Sequence, residues 1–232
     1  MAFVCGKDHE KKQNTPGKGA INLKIVMSGD GSCGKTSCLN VFTKGFFPDV
    51  YEPTIFENYV HEIYVDGKQI TLSLWDTAGQ EEYENIRSLS YSDSNVILLC
   101  YSIDSKDSLE NIESKWKEEV EVYGEKSADI VLMALKCDLR QLENKNNNIV
   151  NPSTIRNSST NIKNKYITYE EGLQVAKNIG AVRYLECSAK LNKGVNEAFT
   201  EVSRVGMEQV QKNNLVDSTK ISSKDKNSCN IM

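Results

Sequence analysis

The sequence predicts an α/β fold, in which a mostly parallel six-stranded sheet carries helices on both of its faces. Short apolar segments alternate along the chain with segments whose apolar residues recur at helical spacing, and this alternation is typical of parallel sheets covered by helices. The chain has 232 residues, of which 39% are hydrophobic, so it is long enough to bury such a core. Ligands of these folds bind at the carboxyl ends of the strands, where we expect the functional residues.

The first half of the chain contains three of the predicted strands. Ile21–Met27 is an apolar segment that leads into a glycine-rich turn, and a helical stretch begins at Lys35. Val60–Val65 and Gln69–Trp75 are two further strands, and the Asp66-Gly67 pair between them is a strong signal for a tight hairpin.

The second half contains the other three strands. Asn95–Tyr101 and Ile130–Leu135 are apolar runs of the length of buried strands, and Arg183–Cys187 is a shorter one. Apolar residues at helical spacing predict helices over 109–120, 169–179 and 195–205. Thr168 and Glu171 form a capping-box pattern at the start of the second of these helices.

The composition excludes several classes of protein. A net charge of −4 gives no basic field for binding nucleic acid. The longest apolar run, 96–101, is too short to span a membrane, and charges follow the N-terminus too closely for a secretory signal. Seven irregularly spaced cysteines and two histidines indicate neither a zinc site nor a disulfide framework, so a reducing cytosolic compartment is expected.

Three segments differ from the folded domain, which we assign to residues 20–210. Residues 1–19 are lysine-rich and predict a flexible extension, and residues 211–232 form a variable tail. Residues 141–165 hold eight asparagines and five serines or threonines, which predicts a disordered surface insertion. A loop that binds a partner is the alternative for this insertion.

A phosphate-binding loop is the strongest motif in the chain. Residues 29–36 read GDGSCGKT and match G-x-x-x-x-G-K-[ST] between a strand and a helix. The glycines let backbone N–H groups surround phosphate oxygens, and an ordinary glycine-rich turn is the alternative. Lys35 would contact the β- and γ-phosphates, and the Thr36 hydroxyl would bind Mg²⁺. The predicted phosphate-site residues are Gly29, Asp30, Gly31, Ser32, Cys33, Gly34, Lys35, Thr36 and Ser37.

A second motif, LWDTAGQ, follows the hairpin at residues 74–80. Asp76 is an acidic residue at the end of an apolar strand, as expected of a residue that holds Mg²⁺. Gly79 can let its backbone N–H approach a γ-phosphate, and Gln80 is placed to orient an attacking water. Such an aspartate alone is weak evidence, because many of them simply cap a turn, but beside a phosphate loop it becomes strong.

Taken together, the motifs resemble those of a Ras-superfamily small GTPase of the Rho family over residues 20–210. In chain order, the motifs are GDGSCGKTS, YEPTIFENY, WDTAGQEEY, DSLENI and ECSAK. The N-terminal extension, the insertion and YLECSAKLNKGVNEAF most resemble the fungal Rho-four type. The resemblance implies the P-loop small GTPase fold and makes 20–210 a GTPase domain.

The resemblance also implies roles in a nucleotide-dependent switch. Thr54 would close over Mg²⁺ and the γ-phosphate in the GTP state, together with the metal-binding Thr36 and Asp76, and Tyr51 would lie across the nucleotide. Effectors would contact an exposed surface. The predicted effector residues are Phe56, Asn58 and Tyr59, with Ile86 and Leu89 beside them.

Base recognition departs from the family pattern. The run Leu135-Lys136-Cys137-Asp138 has leucine where the family has asparagine or threonine. The Asp138 carboxylate still accepts from guanine N–H groups, and the Lys136 stem would lie along the purine. Ser188, Ala189 and Lys190 are the remaining predicted base-site residues, with the Ala189 N–H facing the guanine O6. Because Leu135 cannot form the usual polar bridge, we expect a several-fold lower affinity, from the roughly 0.5–1.5 kcal/mol of a hydrogen bond.

The predicted reaction is slow hydrolysis of GTP to GDP and phosphate. Gln80 would position the water, and Lys35, Gly79 and Mg²⁺ would stabilise the γ-phosphate. The partners implied are an exchange factor, a GTPase-activating protein that supplies an arginine, a dissociation inhibitor and formin- or kinase-type effectors, in polarity, actin organisation and septum or cell-wall assembly. The alternatives are a binding module that holds GTP without hydrolysis and a phosphate-loop kinase.

The C-terminal residues Cys229-Asn230-Ile231-Met232 match a prenylation motif loosely. A terminal methionine favours farnesyl over geranylgeranyl at Cys229. One lipid beside a weakly basic tail gives reversible attachment, so we expect the cytoplasmic face of the plasma membrane together with a cytosolic pool.

Overall fold

A computed structural model describes residues 21–50, 52–140 and 165–224, with side chains up to residue 214. The predicted extension 1–19, the insertion up to residue 164, Tyr51 and Cys229 lie outside the described residues. The predictions made for them stay predictions.

A six-stranded sheet forms the centre of the molecule, as predicted. Its strands are β1 (Ile21–Gly29), β2 (Phe56–Val65), β3 (Lys68–Thr77), β4 (Val96–Ser102), β5 (Asp129–Leu135) and β6 (Arg183–Glu186). Their spatial order is β2-β3-β1-β4-β5-β6. The β2–β3 hairpin is antiparallel, and all other neighbours pair parallel. The five parallel strands therefore place their carboxyl ends at one edge of the sheet.

Helices connect the parallel strands. They are α1 (Lys35–Lys44), α2 (Glu84–Ser88), α3 (Lys106–Asn111), α4 (Lys117–Tyr123), α5 (Tyr169–Asn178) and α6 (Val195–Lys224). The predicted capping box is present, because the Thr168 hydroxyl accepts from the Glu171 N–H and the Glu171 carboxylate accepts from the Thr168 N–H. Helix α6 continues well beyond the predicted 195–205, into the segment assigned to the tail.

A π-helical turn, Ile112–Trp116, joins α3 to α4 where the sequence predicts one uninterrupted helix. Ile112 and Trp116 are both fully buried. Such turns widen a helix locally and are common at functional sites. The turn lies beside the phosphate loop, as described below.

Two hydrophobic clusters cover the two faces of the sheet. Side chains alternate along each strand, so Ile25 faces the cluster under α1 and α6, while Val26 faces the one under α4 and α5. Phe199 is fully buried in the first cluster and Trp116 in the second. The central strands are thus buried on both faces, which fixes the loops at the carboxyl edge of the sheet on a rigid support.

Candidate nucleotide-binding site

The phosphate-binding loop connects β1 to α1 in a conformation that requires glycine. Gly29 and Gly34 have φ of 145° and 108°, values that other residues rarely adopt. A Cβ on Gly29 would also lie 2.1 Å from the Cys100 carbonyl oxygen. The loop therefore packs tightly on β4 with its backbone free to face a ligand.

A cleft of about 320 Å³ opens beside this loop. It brings together predicted residues from separate parts of the chain. These are Gly31, Ser32, Gly34, Lys35, Thr36, Ser37, Thr54, Gly79, Gln80 and Lys136. The size and the lining suit a triphosphate held by a backbone loop.

A second cleft of about 240 Å³ continues from the first. It contains the predicted base-site residues Lys136, Asp138, Ala189 and Lys190. Gly34, Ser37 and Lys136 line both clefts, so the two form one elongated site. Three further residues that the sequence did not predict also line this cleft, namely Phe47, Asp104 and Leu139. The sequence offered one signal for Phe47, which is an aromatic residue beside a proline just before the YEPTIFENY motif.

The Lys35 ammonium occupies the centre of the phosphate loop. Its Nζ donates to the Gly29 carbonyl at 2.7 Å and to the Asp30 carbonyl at 2.9 Å. The side chain is buried, so its stem is fixed and its charge faces the space that the loop encloses. This places a positive charge where phosphate oxygens would bind.

Asp76, Thr36 and Thr54 form a set of oxygen donors at the bottom of the cleft. The Thr36 and Thr54 hydroxyls lie 2.6 Å apart. Both carboxylate oxygens of Asp76 are buried and have no hydrogen-bond partner within the described part of the chain. Burial raises the pKa of Asp76 to about 6, and the nearby Thr36 hydroxyl and Lys35 charge offset only part of that effect. A buried carboxylate beside two hydroxyls fits a hard divalent cation such as Mg²⁺.

Gly79 brings the LWDTAGQ motif, residues 74–80, against the phosphate loop. A Cβ at this position would lie 2.1 Å from the Gly31 nitrogen, so no other residue can approach the loop as closely. A Cβ on Gly31 would in turn lie 3.9 Å from Cδ of Gln80. The Gln80 side chain therefore lies next to the loop, within reach of a γ-phosphate site.

Two loop side chains face away from the phosphate space. The Asp30 carboxylate accepts from the Trp116 indole at 2.7 Å and from the Asn111 amide at 2.8 Å. Cys33 is buried in the core, and burial raises the pKa of its thiol. Because their side chains face away, Asp30 and Cys33 could contact a phosphate only through their backbone atoms.

The base-recognition loop is preorganised. Asp138 is buried and accepts a hydrogen bond from the Ser188 hydroxyl at 2.6 Å. Ser188 thus fixes the orientation of the carboxylate. Leu135 is also buried, and its Cδ1 would lie 3.8 Å from a Cβ on Gly34. An apolar contact therefore joins the two loops where the family has a polar bridge.

The predicted effector residues lie at the start of β2 and not in a loop. Phe56 and Asn58 are exposed, and Tyr59 is half-buried with its hydroxyl bonded to Glu57. The predicted neighbours Ile86 and Leu89 are exposed as well. These side chains form an accessible surface beside the cleft.

The fold and the joined clefts define a P-loop nucleotide-binding protein. Comparisons with known proteins agree with this class. The sequence model of the Ras family matches residues 24–208. The chain is 58% identical over 220 residues to GTP-binding protein RHO3 of Saccharomyces cerevisiae, covering 89% of this chain and 91% of that protein. It is 60% identical over 190 residues to rho3 of Schizosaccharomyces pombe, covering 82% of this chain and 85% of that protein.

GTP-binding protein rho1 of Schizosaccharomyces pombe is also similar, with 50% identity over 187 residues, 81% of this chain and 87% of that protein. The chain belongs to the Ras family of small GTPases, in its Rho branch. It is a GTP hydrolase that switches between GTP- and GDP-bound states, so the non-hydrolysing binder and the kinase are set aside.

The predicted Rho-four type is wrong at the level of the subtype, because relatives at 56–60% identity are named Rho3. The prediction depended partly on the extension and the polar insertion. Such segments bury little, so their sequences are weakly constrained and carry little information about subtype. Within the described residues, no helix combines the length and hydrophobicity that crossing a bilayer needs.

Proposed function

We propose that this chain is a Rho3-type switch whose single elongated site holds GTP or GDP with Mg²⁺. The observation that carries the proposal is the continuity of the two clefts. Lys35 lies at the phosphate end and Asp138 at the base end, and Gly34, Ser37 and Lys136 line both. The site thus offers a cation for the phosphates and a carboxylate for guanine.

Guanine selection depends on the buried Asp138. Its carboxylate can accept from the two N–H groups on the Watson–Crick edge of guanine, whereas the acceptor N1 of adenine would repel it. The Ser188 hydroxyl orients the carboxylate, and the N–H of Ala189, which lines the same cleft, would bind the guanine O6. The Lys136 stem and Phe47 flank the same cleft.

Hydrolysis is the in-line attack of water on the γ-phosphate. Gln80 orients the water from its position beside Gly31, and the Gly79 N–H faces the γ-phosphate. Lys35 stabilises the negative charge that develops on the phosphate oxygens. Mg²⁺, held by Thr36, Thr54 and Asp76, would supply further positive charge.

Switching follows from the loss of the γ-phosphate. Thr54 and Tyr51 belong to a loop that the γ-phosphate and Mg²⁺ hold closed, and hydrolysis releases this loop. The loop leads directly into Phe56, Asn58 and Tyr59. Effectors would therefore recognise these residues in the GTP state.

Regulation and location follow the family resemblance. An exchange factor, a GTPase-activating protein with an arginine, a dissociation inhibitor and formin- or kinase-type effectors would act on the switch. A farnesyl or geranylgeranyl group on Cys229 would attach the protein to the cytoplasmic face of the plasma membrane, with a cytosolic pool. The process would be cell polarity, with actin organisation and septum or cell-wall assembly.

The test is phosphate release by the purified protein with Mg²⁺, with GTP as substrate and ATP as control. We expect release from GTP and not from ATP, at about 10⁻⁴ to 10⁻² s⁻¹. The rate should be this slow because no arginine of the described residues lines either cleft, so an activating protein would have to supply one. Gln80→Leu should slow release while GTP binding persists. Equal release from ATP, or an unchanged rate in Gln80→Leu, would contradict the proposal.

A further inference from the structure

Arg87 lies directly beneath the segment that carries the proposed catalytic glutamine. Its side chain is 1% exposed. One terminal nitrogen, Nη1, donates to the Ala78 carbonyl at 2.7 Å and to the Gln80 carbonyl at 3.1 Å. These carbonyls stand on either side of Gly79. The guanidinium thus ties down the backbone on both sides of the residue that approaches the phosphate loop.

The charge of Arg87 is neutralised by Glu119 on α4. Nε and Nη2 each donate to a different carboxylate oxygen at 2.6 Å, so the pair is bidentate. Glu119 also accepts from the Tyr91 hydroxyl at 2.7 Å, and that hydroxyl lies 2.8 Å from Ser28 Oγ at the end of β1. The carboxylate is therefore held in place by the sheet as well as by its own helix.

Trp116 connects the same group to the phosphate loop. The Arg87 guanidinium lies 4.7 Å from the centre of the indole ring. The indole N–H donates to the Asp30 carboxylate at 2.7 Å. Trp116 ends the π-helical turn, so this turn supports the loop and the arginine at once.

We propose that Arg87 is a positioning residue for hydrolysis, which places Gln80 over Gly31 by holding the Ala78 and Gln80 carbonyls against α4. The inference rests on the proposed function. A buried ion pair is by itself weak evidence for a role in stability. What distinguishes this pair is that its remaining donors bind two carbonyls of the catalytic segment.

Arg87→Lys separates this role from simple charge pairing. Lysine keeps the positive charge beside Glu119, but it lacks the planar fork that serves a carboxylate and two carbonyls simultaneously. In single-turnover experiments with bound GTP, we expect hydrolysis to slow at least about tenfold. GDP dissociation should stay within about twofold of the wild type, because Arg87 does not line either cleft.

Arg140→Lys is a matched control. Arg140 also forms a bidentate pair, with Glu186 at 2.7 and 2.8 Å, and it donates to the Ile167 carbonyl at 2.7 Å. It makes the same kinds of bond away from the catalytic segment. This variant should lose stability without slowing hydrolysis of bound GTP.

A double variant tests whether Arg87 acts through Gln80. If it does, Arg87→Lys should cause no further loss in a Gln80→Leu background, since coupled residues are not additive. The inference would be overturned if the rate losses of the two single variants multiplied in the double variant. A hydrolysis rate of Arg87→Lys within twofold of the wild type would overturn it as well. A wild type that hydrolyses GTP and depends on Gln80, but not on Arg87, would leave the proposed function intact.

Glu119→Gln covers the case in which Arg87→Lys does not fold. It replaces one of the two carboxylate oxygens that accept from Arg87 with an amide NH₂, which cannot accept, and leaves Arg87 itself in place. A lower hydrolysis rate with unchanged GDP dissociation would support the inference, and a wild-type rate would overturn it.

Discussion

Asp76 ends an apolar strand with a carboxylate that receives no hydrogen bond within the described part of the chain. A buried, unpaired charge is unfavourable, and here burial raises the pKa of the carboxyl to about 6. The proposed cation would offset this cost, since the Thr36 hydroxyl lies beside Asp76 and 2.6 Å from the Thr54 hydroxyl. At the scale of the residue, the proposed Mg²⁺ would supply the partner that the described residues do not give Asp76.

Asp76→Asn should therefore separate stability from metal binding. Removing the buried charge should leave the free energy of unfolding without Mg²⁺ unchanged or raised by roughly 1 kcal/mol. The slowing of GDP dissociation by Mg²⁺, measured against chelator, should be lost. Asp129→Asn, at an exposed pair with Lys212, is the control and should keep the Mg²⁺ effect. Retention of that effect in Asp76→Asn would contradict the assignment.

The residues of the phosphate site could be predicted from the sequence because a backbone loop needs glycines, a lysine and a threonine at fixed spacing. The partners of Asp30 could not. Trp116 and Asn111 are 86 and 81 positions away in the chain, and only the packing of α3 and α4 on the sheet brings them together. Arg87 was missed for the same reason, because Glu119 lies on a different element.

At the scale of elements, β5, β6 and α5 are joined by a half-buried polar cluster. Arg140, just after β5, pairs with Glu186 of β6 and donates to the Ile167 carbonyl, one residue before the cap of α5. Tyr184 donates to the same carboxylate at 2.6 Å. Burial opposes ionisation of Glu186, but hydrogen bonds from Arg140 and Tyr184 outweigh it and lower the pKa.

This cluster predicts an acid-dependent stability. The pKa of Glu186 is lower in the folded protein than in the unfolded chain. The contribution of Glu186 to the free energy of unfolding is therefore fully present above the pKa of the unfolded state, and it is lost as the pH falls through the pKa of the folded state. Glu186→Gln should reduce the free energy of unfolding by about 1–2 kcal/mol at pH 7. The difference from the wild type should shrink below about pH 4 in urea titrations.

Glu201→Gln provides the comparison, since its pair with Arg204 is more exposed. We expect this variant to lose less than about 0.5 kcal/mol at either pH. A Glu186→Gln difference that grows as the pH falls would contradict a depressed pKa for Glu186 in the folded protein.

The elements themselves were largely predictable, and two of the differences have a clear physical reason. Strand β2 begins at Phe56 rather than Val60, because residues 56–59 pair with β3 although both sides of this edge segment are mostly exposed. Apolar alternation cannot reveal pairing of that kind. The π-helical turn was missed because its apolar residues keep helical spacing, while its hydrogen bonds depend on packing against the rest of the domain.

At the scale of the whole molecule, the carboxyl edge of the sheet assembles one site from loops that are distant in sequence. Strand order and parallel pairing bring the phosphate loop, the LWDTAGQ motif and the base-recognition loop to the same edge of the sheet. The sequence motifs predicted this assembly because their order along the chain matched the strands that carry them. The subtype could not be predicted in the same way, since it was inferred partly from the N-terminal extension and the polar insertion, which carry none of these motifs.

The central claim is that the two clefts form one guanine-nucleotide site, with the base on Asp138. Asp138→Asn tests it most directly, because an amide can donate to the 2-oxo group of xanthine where a carboxylate accepts from the 2-amino group of guanine. The measurement is competition between GDP and xanthosine diphosphate for the purified protein, with ADP as control. We predict that the wild type prefers GDP and that the variant prefers the xanthosine nucleotide by at least about tenfold. An unchanged preference for GDP in the variant would contradict the placement of the base on Asp138.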